Sequence, residues 1–441
     1  MSVCVIGAGL AGCEAAFRLA EAGVCVELYE MKPVRFSPAH RSEAFAELVC
    51  SNSFKAERPE SAAGLLKQEM RRMSSLLLRC ADSCRVPAGG ALAVDRGRFS
   101  RAVTERIESV PLIRVHREEV TELPDGVAVV ATGPLTSDAL AEKISARCGG
   151  SLSFFDAAAP IVTAESLNRE RIFAASRYGA GEDGAYLNCP MNRGEYERFH
   201  AELVAAGRAP VRGFDVSDPK VYEGCMPIEV LASRGPDTVR FGPMKPVGLR
   251  DPRTGHRPWA VLQLRREDAS GTLYNLVGFQ TNLRFPEQKR VFGLIPGLEH
   301  AEYARYGVMH RNTFLDSPKI LSASFSLREN PDLFFAGQIT GVEGYMESAA
   351  SGILAGINAA RRLRGQAQLI PPPTTMIGAL SRYVESGGAG SFQPMGANFG
   401  ILPPLPERIR DKRERGAALA ARSLSDLDRS LSEANEPFVL K

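Results

Sequence analysis

The sequence predicts an α/β fold, a doubly wound Rossmann-like domain interrupted by an inserted α+β domain. Three stretches carry that prediction. An apolar strand runs into a G-x-G-x-x-G turn within the first dozen residues, a second at 127–130 ends in Ala131-Thr132-Gly133, and a third at 332–336 ends in Gly337-Gln338 ahead of an alanine-rich helix. Strands that each stop at a glycine turn are what a parallel sheet needs where it meets a bound dinucleotide.

The first stretch is a complete βαβ start. Ser2-Val3-Cys4-Val5-Ile6 is apolar and rich in β-branched residues, and Gly7-Ala8-Gly9-Leu10-Ala11-Gly12 follows directly. Leu10, Cys13, Phe17 and Ala20 then recur at helical spacing, Gly23 stops the helix, and 24–29 reads as a second strand ending in Glu30. Gly7 permits the tight turn, Gly9 lets the backbone approach a pyrophosphate, and Gly12 lets helix and strand pack closely. The helix N-terminus offers unpaired N–H groups to the anion, and Glu30 is placed to accept from a ribose hydroxyl. Gly179-Ala180-Gly181-Glu182-Asp183-Gly184 matches the same pattern without a strand before it or a helix after it, and reads as a loop.

Further along, 62–84 has one helical pattern, with Cys80 and Cys84 on one face as buried small apolar residues rather than zinc ligands. Residues 89–99 read as a hairpin region and 101–110 as a helix. Strand 127–130 returns the chain to the cofactor at Thr132 and Gly133. The inserted region has one evident long helix, 195–206, and strands at 260–264 and 274–279. The last strand leads into a helix over 347–364 stopped by Gly365, and 408–425 reads as a further helix in the tail.

With 441 residues, 44% hydrophobic and 24% charged, the chain has a globular composition and no apolar run of membrane-spanning length. The first strand begins at residue 2, which argues against a signal peptide, and nine cysteines without a framework point to reduced thiols in a cytoplasm. A net charge of +3 neither demands nor excludes nucleic acid. Cys4, Cys13 and Cys25 are expected to be packed within the first βαβ unit.

Several longer segments resemble the folate- and flavin-dependent tRNA uracil-5-methyltransferases of bacteria. They are the glycine turn 7–12, Leu48-Val49-Cys50-Ser51-Asn52-Ser53-Phe54, Tyr222-Glu223-Gly224-Cys225-Met226-Pro227-Ile228-Glu229 and 240–247. Gly278-Phe279-Gln280-Thr281-Asn282, His310-Arg311-Asn312-Thr313-Phe314 and the run from Ala336 to Tyr345 complete the set, so that the resemblance spans essentially the whole chain. The wobble-uridine modification flavoproteins share the Ala-Gly-Gln turn but carry a long C-terminal helical domain, whereas about 75 residues follow the 347–364 helix here. Disulfide-reductase flavoproteins would have an aspartate where Gln338 stands, and a second nicotinamide-binding βαβ unit.

The resemblance implies a glutathione-reductase-like FAD-binding domain over 1–155 and 309–441, with 156–308 as the inserted substrate domain. It implies transfer of the methylene carbon of 5,10-methylenetetrahydrofolate to C5 of uridine 54 in the tRNA T loop. FAD would supply electrons and NADH or NADPH would regenerate them. Ribosomal RNA as the target, or a flavin-bearing tRNA-binding protein that assists folding, are the competing readings. By resemblance the catalytic residues are Cys225, as nucleophile toward uracil C6, and Cys50, as proton acceptor or transient adduct near the flavin. Gly7, Ala8, Gly9, Leu10, Ala11, Gly12, Glu30, Thr132, Gly133, Gly337 and Gln338 would bind the cofactor, with no metal. Glu223 and Glu229 are candidate acids or bases, and His310 and Arg311 candidates for phosphate or the folate tail. Lys245, Arg250, Arg253, Arg265 and Arg266 are candidates for the tRNA backbone, and Tyr222, Phe241 and Trp259 for an extruded base. Monomer and homodimer both remain open.

Overall fold

The computed structural model describes residues 2–149, 152–177, 186–209, 226–387 and 392–436. Its central element is a five-stranded parallel sheet that winds outward from Ser2–Ile6 in two directions. Cys25–Tyr29 and Ile113–His116 lie on one side, Ala128–Val130 and Leu333–Phe335 on the other. The order is that of a doubly wound sheet, in which ligands sit at the carboxyl ends where the winding reverses. Those ends are Gly7, Ala131 and Ala336, tied together by Ala131 N–H donating to Ile6 O at 2.8 Å and Ala336 N–H to Val130 O at 2.9 Å.

Helix Leu10–Glu21 packs lengthwise against helix Tyr345–Leu363. Their backbones approach so closely that a Cβ on Gly352 would lie 2.1 Å from Ala11 O and one on Gly356 2.7 Å from Ala15 O. The alanine and glycine content of both helices thus reflects packing. It brings the C-terminal half of the parallel sheet onto its first βαβ unit.

Residues 161–305 contribute a separate six-stranded antiparallel sheet in the order Phe173–Ala174, Tyr186–Met191, Ala260–Arg266, Leu273–Leu276, Ile161–Thr163 and Tyr303–Arg305. It has its own apolar core, which includes Phe199, Phe279 and Phe292. Leu152–Ala157 pairs antiparallel with Met309–Phe314 as a two-stranded connection on either side of that sheet. Helices Arg193–Ala205 and Phe285–Phe292 pack against one another over it. No helix among the described residues is long and apolar enough to cross a membrane.

Some elements differ from expectation for local reasons. The single helix at 62–84 is two helices, Ala62–Arg72 and Leu76–Ser83. Ser74 takes a positive φ of 56°, and Ser75 caps the second helix by accepting from Leu78 N–H. Buried Glu14 secures the break, accepting from Ser75 Oγ, from Leu76 N–H at 3.2 Å and from Leu77 N–H at 3.0 Å. The strand at 274–279 ends at Leu276, because Gly278 turns at φ 78° against Pro243. The tail helix runs Lys412–Glu433, its start set by Asp411, whose carboxylate accepts from Arg413 and Glu414 N–H. Cys13 is buried as expected, but Cys25 is exposed, since it opens its strand on the solvent-facing side. The loop at 179–184 and the segment holding Tyr222, Glu223 and Cys225 lie outside the described residues.

Candidate functional site

The glycine turn shapes one wall of a cleft at the carboxyl edge of the parallel sheet. Gly7 has φ 96°, and a Cβ on it would meet Ala131 O at 2.7 Å. A Cβ on Gly12 would lie 1.7 Å from Gly7 O, so Gly12 serves packing, whereas one on Gly9 would meet nothing within 4 Å because it faces the open cleft. No side chain caps helix Leu10–Glu21 at Gly9, which leaves its first N–H groups for a ligand. Glu30 is buried at the end of the second strand and holds the turn itself, accepting from Ala8 N–H and from Lys32 N–H, each at 3.0 Å. A carboxylate has about four acceptor positions, so a ribose hydroxyl can still be accommodated.

Thr132, Gly133, Gly337 and Gln338 line the same cleft. Thr132 Oγ1 shares a hydrogen bond with Thr136 Oγ1 at 2.6 Å, and Gly133 turns at φ 69°. Gly337, at φ 84°, donates its N–H to Ser351 Oγ at 2.7 Å, while Gln338 Nε2 donates to Glu343 at 2.6 Å. Of the residues expected to bind a dinucleotide, all but Gly12 line the cleft. His40 also lines it, a residue for which the sequence offered no signal.

A second cavity opens off this cleft, sharing Val49, Pro134, Leu135, Gln338 and Tyr345 as a common wall. Cys50 lines it. The turn carrying Cys50 is fixed from three directions. Tyr345 Oη accepts from Cys50 N–H at 2.8 Å and from Ser51 N–H at 3.1 Å. Arg265 donates Nε to Asn52 Oδ1 at 2.8 Å and Nη2 to Ser51 Oγ at 2.7 Å. Asn52 Nδ2 donates to Val94 O at 3.0 Å and Arg266 O at 2.8 Å.

Arg96 and Arg305 both lie within electrostatic reach of Cys50 and Tyr345. Burial lowers the Arg305 pKa, with Arg96 acting in the same direction; burial would also lower that of Arg96, but the charge and 2.6 Å hydrogen bond of Glu267 outweigh it and hold Arg96 above its ordinary value. Burial acts on other thiols. It pushes the thiols of Cys4, Cys80 and Cys148 up to about 11, and raises those of Cys13 and Cys189 too. Burial, reinforced by the Cys50 charge, also pushes the Tyr345 phenol well above its usual range, so that it stays neutral.

Other candidates are redistributed. Arg265 is buried behind the Cys50 turn instead of facing RNA; burial lowers its pKa and Glu267 opposes that. Lys245, Arg250 and Arg253 are exposed, Arg253 being paired with Asp251 at 2.7 Å, while Arg266 is half-buried. Glu229 is a buried clamp, accepting from Thr281 Oγ1 and Asn282 N–H, each at 2.8 Å. Phe241 is exposed, and Trp259 lies half-buried under Arg240 at 3.8 Å from its ring centre. The side chains of His310 and Arg311 lie outside the described residues. Ile228 N–H donates to Gln280 O at 2.7 Å, and Gln280 lines the Cys50 cavity; Ile228 stands three positions after Cys225 in the chain.

Fold and cleft together define a dinucleotide-binding protein of the Rossmann type whose ligand cleft opens into a cysteine-lined cavity. A family model described as "Glucose inhibited division protein A" matches residues 2–367. The methylenetetrahydrofolate–tRNA-(uracil-5-)-methyltransferase TrmFO of Desulfitobacterium hafniense is 59% identical over 426 residues, covering 96% of this chain and 97% of its own. The protein of the same name from Geobacter sulfurreducens is 58% identical over 434 residues, covering 98% and 99%. Among solved structures, GidA of Aquifex aeolicus superposes with a TM-score of 0.72 at 17% identity, covering 100% of this chain and 74% of the other. The chain belongs to the glucose-inhibited division protein A family and, within it, to the methylenetetrahydrofolate–tRNA-(uracil-5-)-methyltransferases.

Proposed function

We propose that this chain transfers the methylene carbon of 5,10-methylenetetrahydrofolate to C5 of uridine 54 in the T loop of tRNA, in the cytoplasm, with FAD as electron carrier and NADH or NADPH as reductant. The observation that carries this reading is the seat of Cys50, on a rigid turn in a cavity that shares a wall with the dinucleotide cleft. Two substrates that must exchange carbon and electrons need adjoining sites of this kind.

The residues present fit an adenine dinucleotide, since the space in front of Gly9 is open while Gly7 and Gly12 are closed to any Cβ. Gly7, Ala8, Gly9, Leu10, Ala11 and Gly12 would hold the diphosphate, Glu30 a ribose, and Thr132, Gly133, Gly337 and Gln338 the remainder. When bound, the flavin supplies the reducing electrons.

Cys225 is the nucleophile: its thiolate forms a bond to uracil C6 as the C5=C6 electron pair moves to C5, which then attacks the methylene carbon as one of that carbon's two bonds to folate nitrogen opens. Cys50 takes the proton that leaves C5 as the remaining carbon–nitrogen bond to the folate breaks; a hydride equivalent, which the flavin would supply when bound, turns the methylene into a methyl group, and expulsion of the Cys225 thiolate restores the double bond. Residues 1–155 and 309–441 act as the cofactor domain and 156–308 as the domain that meets RNA.

The test is incubation of the flavin-loaded protein with an unmodified tRNA transcript, NADPH and methylenetetrahydrofolate labelled in its methylene carbon. Labelled 5-methyluridine in the T loop is the expected product. A reducible flavin with no label in RNA would overturn the reading.

A further inference from the structure

Three aromatic rings form a continuous stack at the surface of the inserted domain. Tyr303 and Tyr306 stack with centroids 4.8 Å apart and planes 4° apart, and Tyr306 stacks on Phe285 at 4.4 Å and 17°. The stack is held by buried Gln288, whose Nε2 donates to Leu283 O at 2.7 Å and Gly307 O at 2.8 Å and whose Oε1 accepts from Gly307 N–H at 2.9 Å. Tyr303 Oη donates to the backbone carbonyl of the same residue at 3.2 Å. These bonds join helix Phe285–Phe292 to the chain that carries both tyrosines. The outermost ring, Phe285, is 50% exposed.

Cationic residues neighbour it in the chain. Arg208, Arg284 and Lys289 are exposed and have no ion pair among the described residues, whereas Arg290 is engaged by Glu202 and by Glu287 at 2.9 Å. Arg284 Nε donates to Arg208 O at 3.0 Å, which keeps two of these cationic residues together. Strand Tyr303–Arg305 links the stack to the site, since its last residue is the Arg305 that feels the charge of Cys50.

We propose that Phe285 is a stacking platform for one unpaired nucleobase of the substrate RNA, with Arg208, Arg284 and Lys289 receiving the adjoining phosphates. The proposal rests on the tRNA reading above and adds where the loop is held. Aromatic faces bind bases of any identity and RNA loops expose such bases, while flanking cations neutralise the backbone. A protein partner would need a broad apolar surface, of about 1,000 Å² in total. Here the exposed ring stands between exposed Arg284 and Lys289 in the chain.

The experiment compares wild-type holoprotein, Phe285→Ala and Phe285→Tyr. It measures the dissociation constant for unmodified tRNA and for a perfectly paired RNA duplex, with melting temperature and flavin content as checks of folding. We expect Phe285→Ala to weaken tRNA binding about tenfold, the loss of one stacked base, with duplex binding unchanged and Phe285→Tyr restoring affinity. An unchanged tRNA constant, an equal loss on duplex, or a change of oligomeric state in place of RNA affinity would each overturn the platform. Because binding is read without catalysis, absence of methyl transfer by the wild-type protein would fault the functional reading and leave this result independent of it.

Discussion

The turn at 7–12 and the turn at 50–52 lie on adjoining cavities, yet they are built in opposite ways. The contacts that set the conformation of the first at Gly7 and Ala8 come largely from residues that parallel pairing brings together at one sheet edge: Glu30 on the neighbouring strand and Ala131 at the end of the next. The second has no regular structure of its own. It is held by Tyr345 and Arg265, which are 294 and 213 positions away from their nearest partners in it. Backbone geometry makes the cofactor wall, and imported side chains make the reactive one. The two should therefore fail differently when altered.

Gly12→Ala is the most severe test. Its Cβ would fall 1.7 Å from Gly7 O, a backbone atom that cannot step aside without opening the strand–helix junction. We expect loss of several kcal/mol of stability, together with loss of bound flavin, read as a collapse of the melting temperature and of flavin absorbance in the purified protein. Cys50→Ala should leave both quantities at wild-type values and cut methyl transfer by about 10²–10⁴-fold, the range for a group that moves a proton. Retention of more than about a tenth of the wild-type rate would remove Cys50 from the chemistry.

Gly9→Ala is milder. Its φ of −74° suits any residue and the added Cβ meets nothing in the protein. The variant should melt like the wild type, while its flavin dissociation constant rises about tenfold or more because the methyl group occupies the approach to the diphosphate. Equal loss of stability in Gly9→Ala and Gly12→Ala would erase the distinction between a ligand-facing and a packing glycine.

The same contrast explains what the sequence revealed. The first βαβ unit, the turn after 127–130 and the small-residue helix were legible because spacing, glycine position and β-branched runs are local properties. Cys50 was recognisable only through the resemblance of its motif. Arg96 and Arg305 gave no signal, since nothing in a strand end or a helix start announces which distant thiol it will reach. Arg265 was misread for a related reason: an arginine in an alternating strand looks surface-bound until a polar turn is found to receive its guanidinium. The missed break at Ser74 was encoded locally, in a Ser-Ser pair able to cap a helix, but its decisive partner, Glu14, lies 61 positions away from Ser75.

Tyr345→Phe is the subtlest expected lesion and probes the imported architecture directly. The phenol oxygen accepts from two successive amides, Cys50 at 2.8 Å and Ser51 at 3.1 Å, and its removal leaves both donors partly buried without that acceptor. An unsatisfied donor costs about 1–3 kcal/mol, a cost the turn can lower by shifting toward water. Such a shift moves Cys50 relative to Arg96 and Arg305 while the ring still packs against Phe54, at 6.0 Å between centroids. Flavin content and melting temperature should therefore change little. The rate of methyl transfer should fall by about threefold to tenfold, through kcat rather than through KM for tRNA. If the loss appeared instead in flavin affinity, the phenol would belong to the cofactor wall, and the division between a locally built cleft and a remotely built reactive turn would have to be redrawn around Tyr345.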